Sequence, residues 1–251
     1  MSDSFPAGAE HQVGTFVKTT SPQVIEILGG SGLDFAVLDA EHAPFDRAAL
    51  DLALLAGRAA GLPLFVRVAE RSAASLLSAL DLGAAGVLVP HVDNAQQAHE
   101  VVAHCRYVGG DRGYSGSPRA AGYGALGMKQ ALLHGDRNVV VCQIESVAAV
   151  DNAAQIAAVP GVGALFIGRA DLALSMGLDN TQDPRVGAAT DNVIRVALAQ
   201  GTPVGMFVGS NAERETYRRL GVSWFIQGSD QSLLRQAAAA IARPRSSERS
   251  A

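Results

Sequence analysis

Short apolar runs alternate along this chain with longer stretches in which apolar residues recur at helical spacing. Eight runs read as strands, at 13–18, 35–40, 62–68, 86–91, 139–145, 164–167, 203–208 and 224–227. Stretches at 47–60, 73–82, 95–104, 147–158, 191–200, 212–220 and 231–242 read as helices between or after them. The strand runs are continuously apolar, as expected of parallel strands covered on both faces. In length and order this predicts an α/β fold, a single (β/α)8 barrel over residues 1–242, with 243–251 as a solvated tail. A doubly wound sheet is the alternative, but no Gly-x-Gly-x-x-Gly follows the first strand. Gly29-Gly30-Ser31-Gly32 instead precedes the second strand and reads as a helix-to-strand turn. Residues 106–136 are glycine-rich and too long for an ordinary connection, so they read as an active-site loop carrying short helices. The Ala-rich last helix is suited to exchange between subunits.

Polar groups collect at the ends of the predicted strands. Asp39, Glu41 and His42 follow the second, Arg67 ends the third, His91 the fourth, Gln143 and Glu145 the fifth, and Asp171 comes just after the sixth. Ligands of α/β barrels sit beyond the carboxyl ends of the strands, and burying several charges there is costly unless they pair or bind a metal. Glu145 and Asp171 lie about one strand–helix–strand repeat apart, so the two acids can meet on adjacent strands and chelate one hard divalent cation. Mg2+, Mn2+ and Co2+ all suit oxygen donors. A salt bridge to a rim arginine is the competing reading of Glu145, and a helix N-cap before Leu172 that of Asp171.

Composition removes other classes. Of 251 residues 48% are hydrophobic and 18% charged, with a net charge of −4, the profile of a soluble globular protein with a large core. No basic block or aromatic-rich segment suits nucleic acid. No apolar stretch is long enough to span a membrane, and the start Met1-Ser-Asp-Ser-Phe-Pro has no signal-peptide pattern, which points to the cytoplasm. The two cysteines, Cys105 and Cys142, fall inside a predicted helix and a predicted strand and suggest no disulfide framework.

Several ordered motifs, Leu38-Asp39-Ala40-Glu41-His42-Ala43-Pro44, Val66-Arg67, Leu80-Asp81-Leu82-Gly83-Ala84, Arg112-Gly113 with Arg119-Ala120, Gln143-Ile144-Glu145-Ser146 and Phe166-Ile167-Gly168-Arg169-Ala170-Asp171-Leu172, resemble the HpcH/HpaI aldolase family over roughly residues 10–240. The resemblance implies a metal-dependent class II pyruvate aldolase, which makes or cleaves 4-hydroxy-2-oxoacids from a pyruvate enolate and an aldehyde. Such chemistry needs a Lewis acid at the developing oxyanion and no Schiff-base lysine. Lys18, at the end of the first strand, carries no sign of activation.

In that setting Glu145 and Asp171 are the metal ligands. His42 is the acid–base group, with Asp39 as its dyad partner and Glu41 as a second candidate to orient the imidazole; a surface loop histidine is the competing reading. Arg67 stabilises the keto or enolate oxygen. Gln143 hydrogen-bonds substrate, and the backbone of Gly168, Arg169 and Ala170 receives the pyruvate carboxylate. Arg169 stands where the family usually has proline, and either reads an acidic substrate or projects to solvent or a neighbouring subunit. Residues 112–119 add cations and hydroxyls near the expected acceptor pocket. Asp81 resembles a position that reaches a neighbouring subunit's active site, so the resemblance also implies a homo-oligomer, a hexamer or trimer. Two other readings stay open, a citrate-synthase-like or CoA-thioester lyase reaction on the same site and a non-catalytic barrel that binds an oxoacid.

Overall fold

The structure, a computed structural model, describes residues 11–242. Eight parallel strands close into a barrel in chain order: β1 (Gln12–Val17), β2 (Phe35–Asp39), β3 (Leu64–Arg67), β4 (Gly86–Val89), β5 (Val139–Ile144), β6 (Ala164–Ile167), β7 (Val204–Val208) and β8 (Trp224–Ser229). Closure is made by β8 on β1, where Gln12 pairs with Trp224 and Val13 with Phe225.

Among the described residues eleven α-helices lie between and after the strands: α1 (Pro22–Gly29), α2 (Arg47–Ala60), α3 (Ala73–Asp81), α4 (Ala95–Cys105), α5 (Met128–Gly135), α6 (Val147–Asp151), α7 (Ala153–Ala157), α8 (Arg169–Ser175), α9 (Pro184–Ala199), α10 (Asn211–Arg219) and α11 (Asp230–Ile241). Their starts follow local chemistry. Asp46, Ser72, Asn94, Ser146 and Ser210 each cap a helix by accepting a backbone N–H, satisfying a donor that the first turn leaves unpaired. The stretch expected as one helix at 147–158 is two, broken at Asn152, whose side-chain amide donates to the carbonyls of Asp93 and Ala148.

The core has two compartments. Alternate strand residues point outward and pack beneath the helices, while a separate cluster fills the barrel itself. Its lower layer is aromatic: Trp224 stacks on Phe35 at 4.6 Å and meets Phe65 and Phe166 edge-on. A Cβ on Gly205 would lie 2.5 Å from the Trp224 ring, so the small residue makes room for the large one. Above this plug the inner-face residues that end β2, β3 and β5 are polar: Asp39, Arg67 and Gln143. Cys105 and Cys142 are buried, which pushes both thiols up to about 12 and keeps them out of nucleophilic chemistry.

Residues 106–136 overturn one expectation. They connect the end of α4 to the start of β5, and every helix-to-strand connection of such a barrel returns to its amino-terminal face. The segment therefore lies opposite the expected site of its own chain. There Arg112 pairs with Asp81 at 2.9 Å, and Arg119 pairs with Asp51 at 2.7 Å and donates to the Leu82 carbonyl. The last helix, α11, leaves Leu234 and Ile241 exposed. Residues 243–251 lie outside the described residues.

Candidate active site

Asp39 and Arg67 end adjacent strands in direct register, which sets their side chains against each other inside the barrel mouth. Arg67 donates from Nε to Asp39 Oδ1 at 2.9 Å and from Nη2 to Oδ2 at 2.8 Å, a bidentate pair. Lys18 Nζ adds an ion pair at 2.9 Å, and the His42 backbone N–H donates at 3.1 Å. Burial alone would raise the Asp39 pKa; the Arg67 hydrogen bonds and charge, with Lys18 and the His42 N–H, outweigh it and hold the carboxyl below its ordinary value. The guanidinium is completed by the Phe16 ring, 4.6 Å below it, and by Glu41, whose Oε2 lies 3.2 Å from Nη1 without accepting a hydrogen bond from any described residue.

The second half of the mouth is built around Glu145. Its Oε1 accepts the His91 backbone N–H at 2.7 Å and faces His91 Nδ1 at 3.0 Å, while Oε2 accepts from Gln143. Burial, opposed by these contacts, raises the Glu145 pKa, so its negative charge is under-compensated. His91 adopts a left-handed backbone (φ 56°), a conformation that a residue with a Cβ holds only at a cost of about 1–3 kcal/mol. The turn that opens α8 packs directly on this pair. A Cβ on Gly168 would sit 3.2 Å from Glu145 Oε2 and 3.1 Å from Gln143 Nε2, so glycine is what lets the turn approach.

Asp171 stands in the first turn of α8 but does not cap it. Gly168 occupies the N-cap position with no side-chain hydrogen bond. Half-buried and lining the mouth cavity, Asp171 finds no hydrogen-bond donor or cation among the described residues. The buried Gln143 Oε1 is likewise without a partner. Among the described residues Lys18 and Arg67 face Asp39, Glu41, Glu145 and Asp171 at this rim, an excess of two carboxylates over the lysine and arginine charges. That surplus, and unfilled oxygen acceptors on Asp171 and Gln143, fit a hard divalent cation held by Glu145 and Asp171, with water and substrate in its other positions. Among the described residues no group of three or more His, Cys, Asp or Glu side chains is placed to hold a metal ion, so the protein ligands offered here are two, Glu145 and Asp171.

Two expectations change in detail. Asp39 contacts His42 only through the backbone; the imidazole is half exposed, with Nε2 3.7 Å from Glu41 Oε2. Glu41, not Asp39, is therefore the carboxylate beside this ring, because Arg67 and Lys18 already occupy Asp39. Arg169 does not project to solvent. Its Nη2 donates to Glu213 at 2.6 Å and to the Phe207 carbonyl at 3.1 Å, and its Nη1 to the Tyr217 hydroxyl at 3.4 Å. Asp81 lies at the opposite face from the mouth, bound to Arg112.

A cavity of about 350 Å3 opens at this mouth and is lined by Arg67, Gln143, Gly168, Asp171, Phe16 and Phe207, together with Arg169 and Glu213. Phe207 stacks on Phe16 and nothing in the sequence separates it from a core residue, whereas His91 was visible as a polar residue ending a strand.

A closed parallel barrel with a buried arginine and carboxylates gathered at the carboxyl ends of its strands has the layout in which barrel enzymes place their active sites. The sequence profile described as HpcH/HpaI aldolase/citrate lyase matches residues 12–237, and the chain belongs to that family. It is accordingly an aldolase-type carbon–carbon lyase. It is 34% identical over 239 residues to the 5-keto-4-deoxy-D-glucarate aldolase of Klebsiella pneumoniae subsp. pneumoniae, covering 94% of this chain and 93% of that one. Among solved structures it is similar to an HpcH/HpaI aldolase/citrate lyase family protein from Burkholderia cenocepacia, with TM-score 0.87, 33% identity, and coverage of 93% and 94% of the two chains. It is also similar to the citrate synthase SbnG, with TM-score 0.83, 26% identity, and coverage of 92% and 91%.

Proposed function

We propose that this chain cleaves or forms a 4-hydroxy-2-oxoacid, with pyruvate as the nucleophilic half and an aldehyde as the other. The observation that carries this reading is the surplus of two carboxylates at the mouth, with Asp171 unpartnered among the described residues on the turn whose Gly168 packs against Glu145. Glu145 and Asp171 would hold Mg2+, Mn2+ or Co2+, which supplies Lewis-acid stabilisation of the enolate oxygen.

The chain's own residues supply the remainder. Arg67, fixed in orientation by Asp39, presents its guanidinium to the oxoacid's oxygen and gains interaction as negative charge develops there. Gln143 and the backbone at Gly168 and Ala170 orient the oxoacid in the cavity, while the Arg169 side chain between them stays bound to Glu213. His42, with Glu41 beside it and one face in solvent, carries the proton between the aldol hydroxyl and water.

The similarity to enzymes named for 5-keto-4-deoxy-D-glucarate favours a hydroxylated sugar-acid substrate. A condensation of the citrate-synthase kind is the second reading, favoured by the likeness to SbnG.

A homo-oligomer, a hexamer or trimer, is part of the same proposal. Asp81 sits at the face away from its own site, where it pairs with Arg112, so any part it plays in a substrate site is in a neighbour's; exposed Leu234 and Ile241 on α11 suit exchange of this helix between chains. No described helix is long and apolar enough to cross a membrane, and we place the protein in the cytoplasm. The test is proton NMR of pyruvate in D2O with added Mg2+ or Mn2+. Metal-dependent loss of the methyl signal is expected; no exchange with any metal, alongside consumption of acetyl-CoA, would move the assignment to the second reading.

A further inference from the structure

Arg169 occupies the first position of α8, where the family pattern has proline. Proline there fixes φ and sacrifices only an N–H that the helix leaves unpaired. Arginine gives up that stiffness, yet its side chain is tied down at every reachable partner. One nitrogen bridges Glu213 at 2.6 Å and the Phe207 carbonyl at 3.1 Å, the other meets the Tyr217 hydroxyl, and the guanidinium lies 5.3 Å from the Tyr217 ring. The side chain is only 11% exposed. Glu213 is itself held. Its other oxygen accepts the Gly209 N–H at 2.7 Å, and its own N–H is capped by Ser210. These contacts join the turn after β6 to the end of β7 and the start of α10.

We propose that Arg169 is a positioning residue: with Glu213 it braces the mouths of β6 and β7 and holds the Gly168–Asp171 turn in place by side-chain contacts. The inference rests on the reading of Asp171 as a ligand. It also separates two roles for this arginine. Reading an acidic acceptor would require breaking the Glu213 ion pair, whereas bracing requires keeping it.

The experiment compares Arg169→Ala, Glu213→Gln and Arg169→Pro in the full-length chain. Mn2+ affinity is followed by electron paramagnetic resonance, and pyruvate methyl exchange by NMR. Loss of the brace raises the Mn2+ dissociation constant and the pyruvate KM of Arg169→Ala about tenfold, with turnover within about twofold, as expected when positioning rather than chemistry is lost. Glu213→Gln shifts both in the same direction by about threefold. Arg169→Pro recovers both to within about twofold, because the backbone stiffness is restored without the charge.

Parental Mn2+ affinity and KM in Arg169→Ala would overturn the proposal. So would an Arg169→Pro variant as impaired as Arg169→Ala, or, with aldehyde acceptors assayed alongside, one that loses turnover with the anionic acceptor glyoxylate and keeps it with the neutral glycolaldehyde, which would make the arginine a reader of charge. Absence of methyl exchange in the parent protein would sink the aldolase reading alone, since the Mn2+ titration still decides the brace.

Discussion

Both faces of this barrel carry ion pairs and a cavity, of about 420 Å3 and about 350 Å3, yet the buried side-chain oxygens left without a partner among the described residues, Glu41 Oε2 and Gln143 Oε1, lie at only one of them. At the amino-terminal face a cavity of about 420 Å3 is walled by Leu54, Gly57, Leu62, Pro63 and Gly83, and its Arg119 is already engaged by Asp51, the Leu82 carbonyl and Tyr123. At the carboxyl-terminal face Asp171, Gln143 Oε1 and Glu41 Oε2 have valence to spare. Rim charge is thus a poor sign of function; unspent hydrogen-bonding and charge capacity in a plugged, half-dry mouth is a better one.

Substitutions at the two faces should therefore separate. The largest effect is expected for Glu145→Gln, which lowers pyruvate exchange on the order of 1,000-fold by removing a cation ligand, and raises the melting temperature of the metal-free protein. The sign follows from burial: a carboxyl raised above its ordinary value contributes stability at low pH that is lost as pH rises through the raised value, so a neutral amide removes that loss near neutrality. A lower melting temperature at pH 7 would contradict it. Next, Arg67→Ala leaves Asp39 buried with half its partners and should cost about 3–5 kcal/mol in urea unfolding, together with activity.

Asp39 gives a smaller, pH-dependent effect of opposite sign to Glu145. Its carboxyl is held below 3.8, so its stabilisation is present above that value and is lost as pH falls through the lowered one. Asp39→Asn should flatten the acid limb of melting temperature against pH, and an unchanged limb would refute the pairing. Smallest of all, Asp51→Asn at the other face breaks a half-exposed pair, costs at most about 1 kcal/mol and leaves pyruvate exchange intact. Loss of exchange there would erase the contrast between the faces.

The barrel was legible because its strands are uninterrupted apolar runs at regular spacing, and the expected 164–167 coincides with β6. Helix α1 was not read as such, since its eight residues lie between the first strand and a glycine turn. The first turns of α9 were missed because Pro184 and the polar residues after it hide its start, which the Asp183 cap and proline at the first turn account for. The segment 106–136 was assigned to the wrong face: its composition announces an elaborate loop, but only its place between helix and strand says which end of the barrel it covers. Within the site, residue identity at strand ends marked Asp39, Arg67, Gln143 and Glu145. Pairing was harder to read, because Asp39 is claimed by Arg67 and Lys18 through strand register that no local pattern displays.

The central claim is that the unspent carboxylates at the mouth hold a divalent cation. Mn2+ titration followed by electron paramagnetic resonance tests it directly, on the parent, Glu145→Gln, Asp171→Asn and, as a control, Asp183→Asn, whose carboxylate is paired with exposed Arg185. We expect saturable Mn2+ binding in the parent and the control, weakened at least about tenfold in the other two because each removes an oxygen ligand. Parental Mn2+ affinity in Asp171→Asn would contradict the account.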